Sequence, residues 1–451
     1  MFRFKPVARA AAVASLVLMS THGHALDLMG SYLKALDHDP TIRAAHEAAA
    51  AGREQAVQGD ALLKPRISLS AGVTRVEDRS SQPELPPALA GLVRSDSGNN
   101  VAQAGVTLVQ PLYDAQRSAN REQLHQQSEL SEISHRHAQQ ELMQRVSEAY
   151  FGVLLAQETL RSVQGELAAV TMQRDRAQAR FDVGRGRITD LQEAQARLDS
   201  VLTREVSAQS TLATRQAQYE ELTGAPATGL APLREDFRPA PPQPDSLAAW
   251  QRRGEENNAR VLAKERELAI ASAEIGKHKL SGRPTLDLVA GYSARHQSGT
   301  SSSLTPDSNR QATVGVQINI PLYAGGAIQS RERESMSKQR QAEQELGAAR
   351  RDARLAANDA YLAVKTGVSR IASLEQSLRS ARTALEATTL GRDVGSRTEL
   401  DVLDAQQRVF AAERDLAQAR NDHLLGRVRL ALAAGELQEG DLQALNAYLA
   451  R

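Results

Sequence analysis

No cysteine occurs among the 451 residues. That excludes disulfide staples, thiolate metal sites and cysteine nucleophiles, and it suits an oxidising compartment. Aromatic residues make up only 3% of the chain. Ala, Gln, Arg, Glu and Leu dominate instead, a composition of long helices and coiled coils rather than of a compact enzyme. Proline is missing from 112–225 and again from 322 to the end, so both stretches can be helical almost throughout. After the N-terminal region there is no run of about eighteen apolar residues, and no transmembrane helix is expected. Also missing are a Gly-x-x-x-x-Gly-Lys-Ser/Thr phosphate loop, a His-Glu-x-x-His zinc motif and a Gly-x-Ser-x-Gly elbow. Ser335-Met-Ser-Lys338 fits a Ser-x-x-Lys pattern but falls in a predicted helix without companion motifs. His135 and His137, separated by one residue on a helix, point apart. No catalysis, cofactor or metal site is expected.

What is present begins with residues 1–25, which read as a secretory signal peptide. Arg3, Lys5 and Arg9 form a positive start, Ala10 to Met19 an apolar stretch, and Gly23-His24-Ala25 a small-residue cleavage site. Removing it takes away three positive charges and no negative ones, so the formal charge of +1 becomes −2. A near-neutral mature chain argues against a nucleic-acid partner.

The mature chain reads as one plan written twice: a first repeat over 26–230, a proline-rich linker over 231–244, and a second repeat over 245–451. Gly224 to Pro244 holds six of the sixteen prolines, which breaks helical periodicity. In the first repeat, helix runs from Asp27, with Asp39-Pro40 as an N-cap followed by proline at the first helical position. At Pro65 the period changes from 3.6 to 2. Ile67, Leu69, Ala71 and Val73 share one face, as do Ala102, Ala104, Val106 and Leu108, with a polar loop over 77–100 between them. This hairpin (66–110) recurs at 285–320, where Leu286, Leu288, Ala290 and Tyr292 alternate, then Val314, Val316, Ile318 and Ile320. Pro-Leu-Tyr follows each, at 111–113 and 321–323.

Long helices follow each hairpin. The stretch Phe181-Asp-Val-Gly184 returns as Arg392-Asp-Val-Gly395, 211 residues later. Each Val-Gly ends a helix, since glycine adopts the left-handed conformation at little cost. Beyond each turn runs a heptad seam: Leu191, Ala194, Leu198, Val201, Glu205, Ala208 and Leu212 in the first copy, Val402, Ala405, Val409, Ala412, Leu416 and Ala419 in the second. The fold class is therefore α+β: long coiled-coil hairpins plus four strands, from an internal duplication.

The strands read as nine to eleven residues, apolar on one face. Two readings fit that alternation: outer-membrane strands, or two small soluble hairpins packed on the helices. Four strands cannot close a barrel, and in lipid an open edge leaves backbone groups unpaired. The membrane reading therefore needs several chains to share one barrel.

The element order, Phe181-Asp-Val-Gly…Ile-Thr-Asp190, Val394-Gly-Ser-Arg-Thr…Asp-Val-Leu-Asp404 and the paired Pro-Leu-Tyr turns resemble the TolC family of outer-membrane efflux ducts. The resemblance covers essentially the whole mature chain. It implies a homotrimer in the outer membrane of a Gram-negative bacterium, with four strands per chain in one twelve-stranded transmembrane β-barrel over an α-helical barrel crossing the periplasm. It also implies a periplasmic adaptor (membrane fusion protein) and an inner-membrane transporter, ABC or proton-driven. Without cysteine the lipid-anchored branch is excluded, leaving type I protein secretion or efflux of small toxic compounds. The alternative from another class is a soluble periplasmic coiled-coil adaptor; that would require a membrane anchor or a compact β-rich domain, and neither is legible.

In such trimers the two Val-Gly tips form the narrow periplasmic end. By resemblance, Asp401 and Asp404 line it as stacked acidic rings that attract cations, with pKa values raised by mutual repulsion. Taken alone, two acids three apart fit a solvated helix face. Asp190 and Glu193 occupy the matching positions in the first copy, Glu193 as additional acidic lining. Arg397, Thr189, Asp190 and Gln173 match family positions that tie the end closed. Where the family often carries tyrosine this chain has Arg392, so one closing contact must differ.

Overall fold

A computed structural model describes residues 26–79, 96–299 and 307–450. The expected signal peptide and most of the expected 77–100 loop lie outside the described residues. In chain order the elements are α1 (Leu28–His38), α2 (Pro40–Ala61), β1 (Arg66–Arg79), β2 (Asp96–Tyr113), α3 (Ala115–Asp182) and α4 (Ile188–Thr223). The same series returns as α5 (Leu247–Asn257), α6 (Ala259–Leu280), β3 (Thr285–Gly299), β4 (Asp307–Asn319), α7 (Ala327–Asp393) and α8 (Glu399–Ala433), followed by α9 (Glu439–Asn446).

Local chemistry sets the breaks. Asp39 caps α2 by accepting from the Thr41 N–H, with Pro40 in the first turn. Asn258 does the same for α6 through Arg260 N–H, so the second repeat breaks its helix where the first does. α3 has 68 residues and α7 has 67, which makes each about 100 Å long.

Strand order is β1-β2-β3-β4, every pair antiparallel. At 14, 18, 15 and 13 residues, the strands exceed the nine to eleven expected. Glu77 pairs with Gly98 and Asp78 with Ser97, inside what reads as polar loop. Ladder hydrogen bonding is indifferent to side-chain polarity, so the strands continue past the point where the apolar alternation fades. β4, in turn, ends at Asn319, before Ile320-Pro321.

Register places Ile67, Leu69, Ala71 and Val73 beside Leu108, Val106, Ala104 and Ala102, and these beside Ala290, Tyr292, Ala294 and His296. Ala290, Leu288 and Leu286 then face Val314, Val316 and Ile318. One face is thus apolar across all four strands, and it is bare: Val73 and Val314 are 78% and 79% exposed. The opposite face carries Ser68, Ser70, Thr107, Ser293 and Thr313. Two soluble hairpins packed on the helices would have covered the apolar face; here the hairpins join edge to edge instead.

Below the sheet, α3 contacts α2 and α4 on one side and α6 and α8 on the other, and α7 packs on α6 and α8. One edge of the helical layer is α2/α4, the other α7. β1 continues from α2 and β4 leads into α7, so among the described residues sheet and helices are open along the same two edges.

The main core lies around the middle of α3. Tyr150, Phe151, Val146 and Leu142 pack with Tyr32 of α1, Tyr219 of α4, Phe237, and Leu424 of α8. Burying such side chains contributes about 1.5–3 kcal/mol each. The proline-rich segment is woven into this belt: Leu230 bridges to Leu26, Leu233 bridges to Leu449, and Ala231 O accepts from Tyr150 OH (2.9 Å).

His423, 1% exposed, stands edge-on to Phe237 with ring centroids 6.2 Å apart. Burial, reinforced by the nearby Arg427 cation, pushes its imidazole from 6.5 down to about 4. Between those values the unfolded chain binds a proton that the folded belt refuses, so stability falls as pH falls from 6.5 to about 4. The expected total loss is about 3 kcal/mol. Denaturant midpoints between pH 7 and pH 4 should show this slope, and His423→Asn should flatten it; an unchanged slope in the variant would refute the assignment.

Candidate functional site at the hairpin tips

Both tips close by the same backbone device. Gly184 (φ 70°) and Gly395 (φ 78°) are left-handed. The Arg185 N–H donates to Arg180 O and the Gly184 N–H to Phe181 O; Ser396 to Gly391 and Gly395 to Arg392 repeat the pattern. These paired bonds satisfy the last helical carbonyls.

The helices leaving the tips start differently. In α8, Thr398 N–H donates to Asp401 Oδ2 (2.8 Å) and Asp401 N–H to Thr398 Oγ1 (3.2 Å), a reciprocal capping box. In α4 the cap position is Arg187, with no side-chain cap. The first-copy tip is therefore anchored less well.

Asp401 and Asp404 do lie one turn apart on α8. The Thr398 backbone and hydroxyl donors, with Arg397 and Arg408 nearby, hold the Asp401 carboxyl below its ordinary value. Within one chain this is opposite to the raised pKa expected from stacked acidic rings, because the cap favours the anion. Asp404 Oδ1 sits 3.1 Å from Arg197 Nη2 of α4, and that arginine also meets Gln407. Gln173 is buried at 5% exposure on α3. Thr189, Asp190, Glu193 and Arg397 are exposed. Among the described residues none of those four forms an ion pair within the chain, so one chain does not bring the expected closing set together.

A different set does meet. Glu399, in the first turn of α8, lies 3.1 Å from Arg180 of α3 and 3.6 Å from Arg392 of α7. Arg392 also binds its neighbour Asp393 at 2.6 Å. Glu399 and Arg392 side chains are 21% and 16% exposed, Arg180 56%. Glu399 thus ties the second tip to the first through Arg180, and it holds Arg392 within its own tip. Sequence reasoning passed over Glu399 because an acid in a first helical turn is ordinary; the nearness of Arg392 was the available signal.

Further up the hairpins the seams interdigitate. Leu198, Val201, Leu403, Val163 and Val170 form one cluster. Glu166, 2% exposed, takes a bidentate pair from Arg204 (2.7 and 2.9 Å), with Arg414 at 3.5 Å. Far from the tips, a cavity of about 1170 Å³ runs between α3, α6, α7 and α8. Two ion pairs line it, Arg260 with Glu141 (3.3 Å) and Lys264 with Glu345 (2.9 Å).

This combination of a one-sided sheet and helices about 100 Å long has close counterparts. The chain is 31% identical over 441 residues to the outer membrane protein TolC of Vibrio cholerae, covering 97% of each. It is 29% identical over 437 residues to the alkaline protease secretion protein AprF of Pseudomonas aeruginosa, covering 96% of this chain and 89% of that one. Among solved structures, the outer membrane protein VceC of Vibrio cholerae superposes with a TM-score of 0.75 at 18% identity, over 90% of this chain and 96% of that one. That last likeness speaks to the fold alone. The sequence profile of outer membrane efflux proteins matches residues 32–225 and 252–436, on both sides of the proline-rich segment, and the chain belongs to the outer membrane efflux protein family.

Proposed function

We propose that three copies of this chain close head-to-tail into one duct. In that duct twelve strands form a barrel in outer-membrane lipid, and the long helices form a tunnel across the periplasm. The observation that carries this is the shared openness of the two layers. β1 with α2/α4 on one flank and β4 with α7 on the other are both unpartnered, so a neighbour must cover sheet and helices together. Thr189, Asp190 and Arg397, exposed at the tips, would then face adjoining chains, where they can serve as closing contacts. Asp401 and Asp404 would line the narrow end. The duct conducts passively. Energy comes from an inner-membrane transporter working through a periplasmic adaptor, and the cargo is secreted protein or small toxic compounds.

The mature protein should sediment with outer-membrane fractions, and unheated it should migrate in SDS gels as a trimer that heat converts to monomer. A detergent-free soluble monomer would overturn the reading. In planar bilayers, joint Asp401→Asn and Asp404→Asn substitution should weaken divalent-cation block by about tenfold or more. Block at the wild-type concentration would remove both residues from the lining.

A further inference from the structure

The bare face of the sheet ends differently at its two margins. Toward the loops, the first non-apolar residues on that face are Arg310 on β4, His296 on β3, Asn100 on β2 and Arg75 on β1. At the helix end lie Leu286, its pairing partner Tyr113 (47% exposed) and Ile318, and Tyr323 (89% exposed) follows past the end of β4. Basic side chains thus gather at the loop margin of this face, and an aromatic border occupies the other.

The loop margin also runs obliquely. Arg310 pairs with the apolar Ala294, His296 with the apolar Ala102, and Asn100 with Arg75. From β4 to β1 the boundary therefore advances four residues across three strand spacings. At about 3.3 Å per residue and about 4.8 Å between strands, that is an angle of about 40°. Outer-membrane strands tilt by about 35–45°. With that tilt the oblique boundary becomes level, so Arg75, His296 and Arg310 stand at one depth, directly above the hydrocarbon.

We infer that this level margin is a binding surface for the phosphate groups of the phosphorylated glycolipid in the outer leaflet. The inference rests on the proposed barrel. Arginine suits the ligand because its planar guanidinium meets two phosphate oxygens at once, and cations at a bilayer margin gain from anionic headgroups. Arg75 also contacts Glu77 (3.0 Å), but both are exposed, at 69% and 59%. Exposed pairs of this kind contribute little, and a phosphate can displace that carboxylate. Arg66 and Arg295 belong to the opposite, lumenal face, which supplies a matched control.

The test uses the full-length trimer in detergent, titrated with bis-phosphorylated lipid A and read by native mass spectrometry. Arg75→Gln combined with Arg310→Gln should lower lipid A affinity by about tenfold or more, whereas Arg295→Gln should leave it unchanged. Dephosphorylated lipid A should bind the native trimer as weakly as lipid A binds the double variant, and millimolar inorganic phosphate should not substitute for the lipid. Retained affinity in the double variant, equal loss in Arg295→Gln, or equal binding of the dephosphorylated lipid would each overturn the inference. If trimers form in every variant while lipid A binding ignores the arginines, only the phosphate margin is lost. If no trimer forms even in the native protein, the duct itself is at fault.

Discussion

Glu399→Gln is expected to open the tip. Removing this one negative charge leaves Arg180 and Arg392, at 3.1 and 3.6 Å, facing each other without the anion that holds them. Glu399 and Arg392 are mostly shielded from water, while Arg180 is half exposed, which reduces its share through solvent screening. A coupling of about 1–3 kcal/mol follows, between the exposed-pair and buried-pair limits. That shifts a closed-to-open equilibrium by about ten- to a hundredfold. Single-channel recordings should show longer openings and higher mean conductance than the native duct. Because the contact is ionic, raising salt on the native protein should move it the same way, and the variant should have lost most of that dependence. Conductance identical to native at every salt concentration would return Glu399 to the status of an ordinary first-turn acid.

The second large effect concerns Glu166→Ala. Its carboxylate is 2% exposed and joins three helices, α3 to α4 through Arg204 and to α8 through Arg414. Deleting the anion strands two partly buried guanidinium groups, and loss of one partner from such a site costs about 3–5 kcal/mol. Heat dissociation of the trimer and denaturant midpoints should both fall sharply. Glu166→Met combined with Arg204→Met and Arg414→Met should recover much of the loss, since desolvating the charges is itself costly. A single variant as stable as native would mean that water already screens the pair.

Much of this was legible in the residue pattern. Leu191, Ala194, Leu198 and Val201, and all six second-copy positions from Val402 to Ala419, are buried as the heptad spacing requires. Only Glu205 breaks the apolar seam. The Val-Gly turns appear as left-handed glycines because no other residue takes that conformation cheaply. Periodicity is a local signal and survives into structure wherever burial is one-sided. It does not report strand ends, since Glu77 and Asp78 continue the ladder with no apolar cue. Nor does it report which charges meet across hairpins. Arg180 and Glu399 belong to different repeats, and only three-dimensional packing sets one beside the other. Asp401 shows a third kind of gap: Thr398-x-x-Asp401 is a capping pattern, visible in the sequence yet overshadowed by the pore role that family resemblance suggested.

The bridges from Leu26 to Leu230 and from Leu233 to Leu449 bear on how the protein is made. The two ends of the described chain are stitched to neighbouring points of the same short mid-chain segment, and Leu442, Leu445 and Leu449 complete the core that the first helix begins. Synthesis proceeds from the N-terminus, so this core stays unfinished until the segment through Leu449 has been made. A polypeptide that stops before Leu442 would keep the Leu26–Leu230 bridge but lose the Leu233–Leu449 bridge and the Asn446 hydrogen bonds to Asp27 and Leu28, so its first helix is expected to be cleaved by proteases faster than in the full chain.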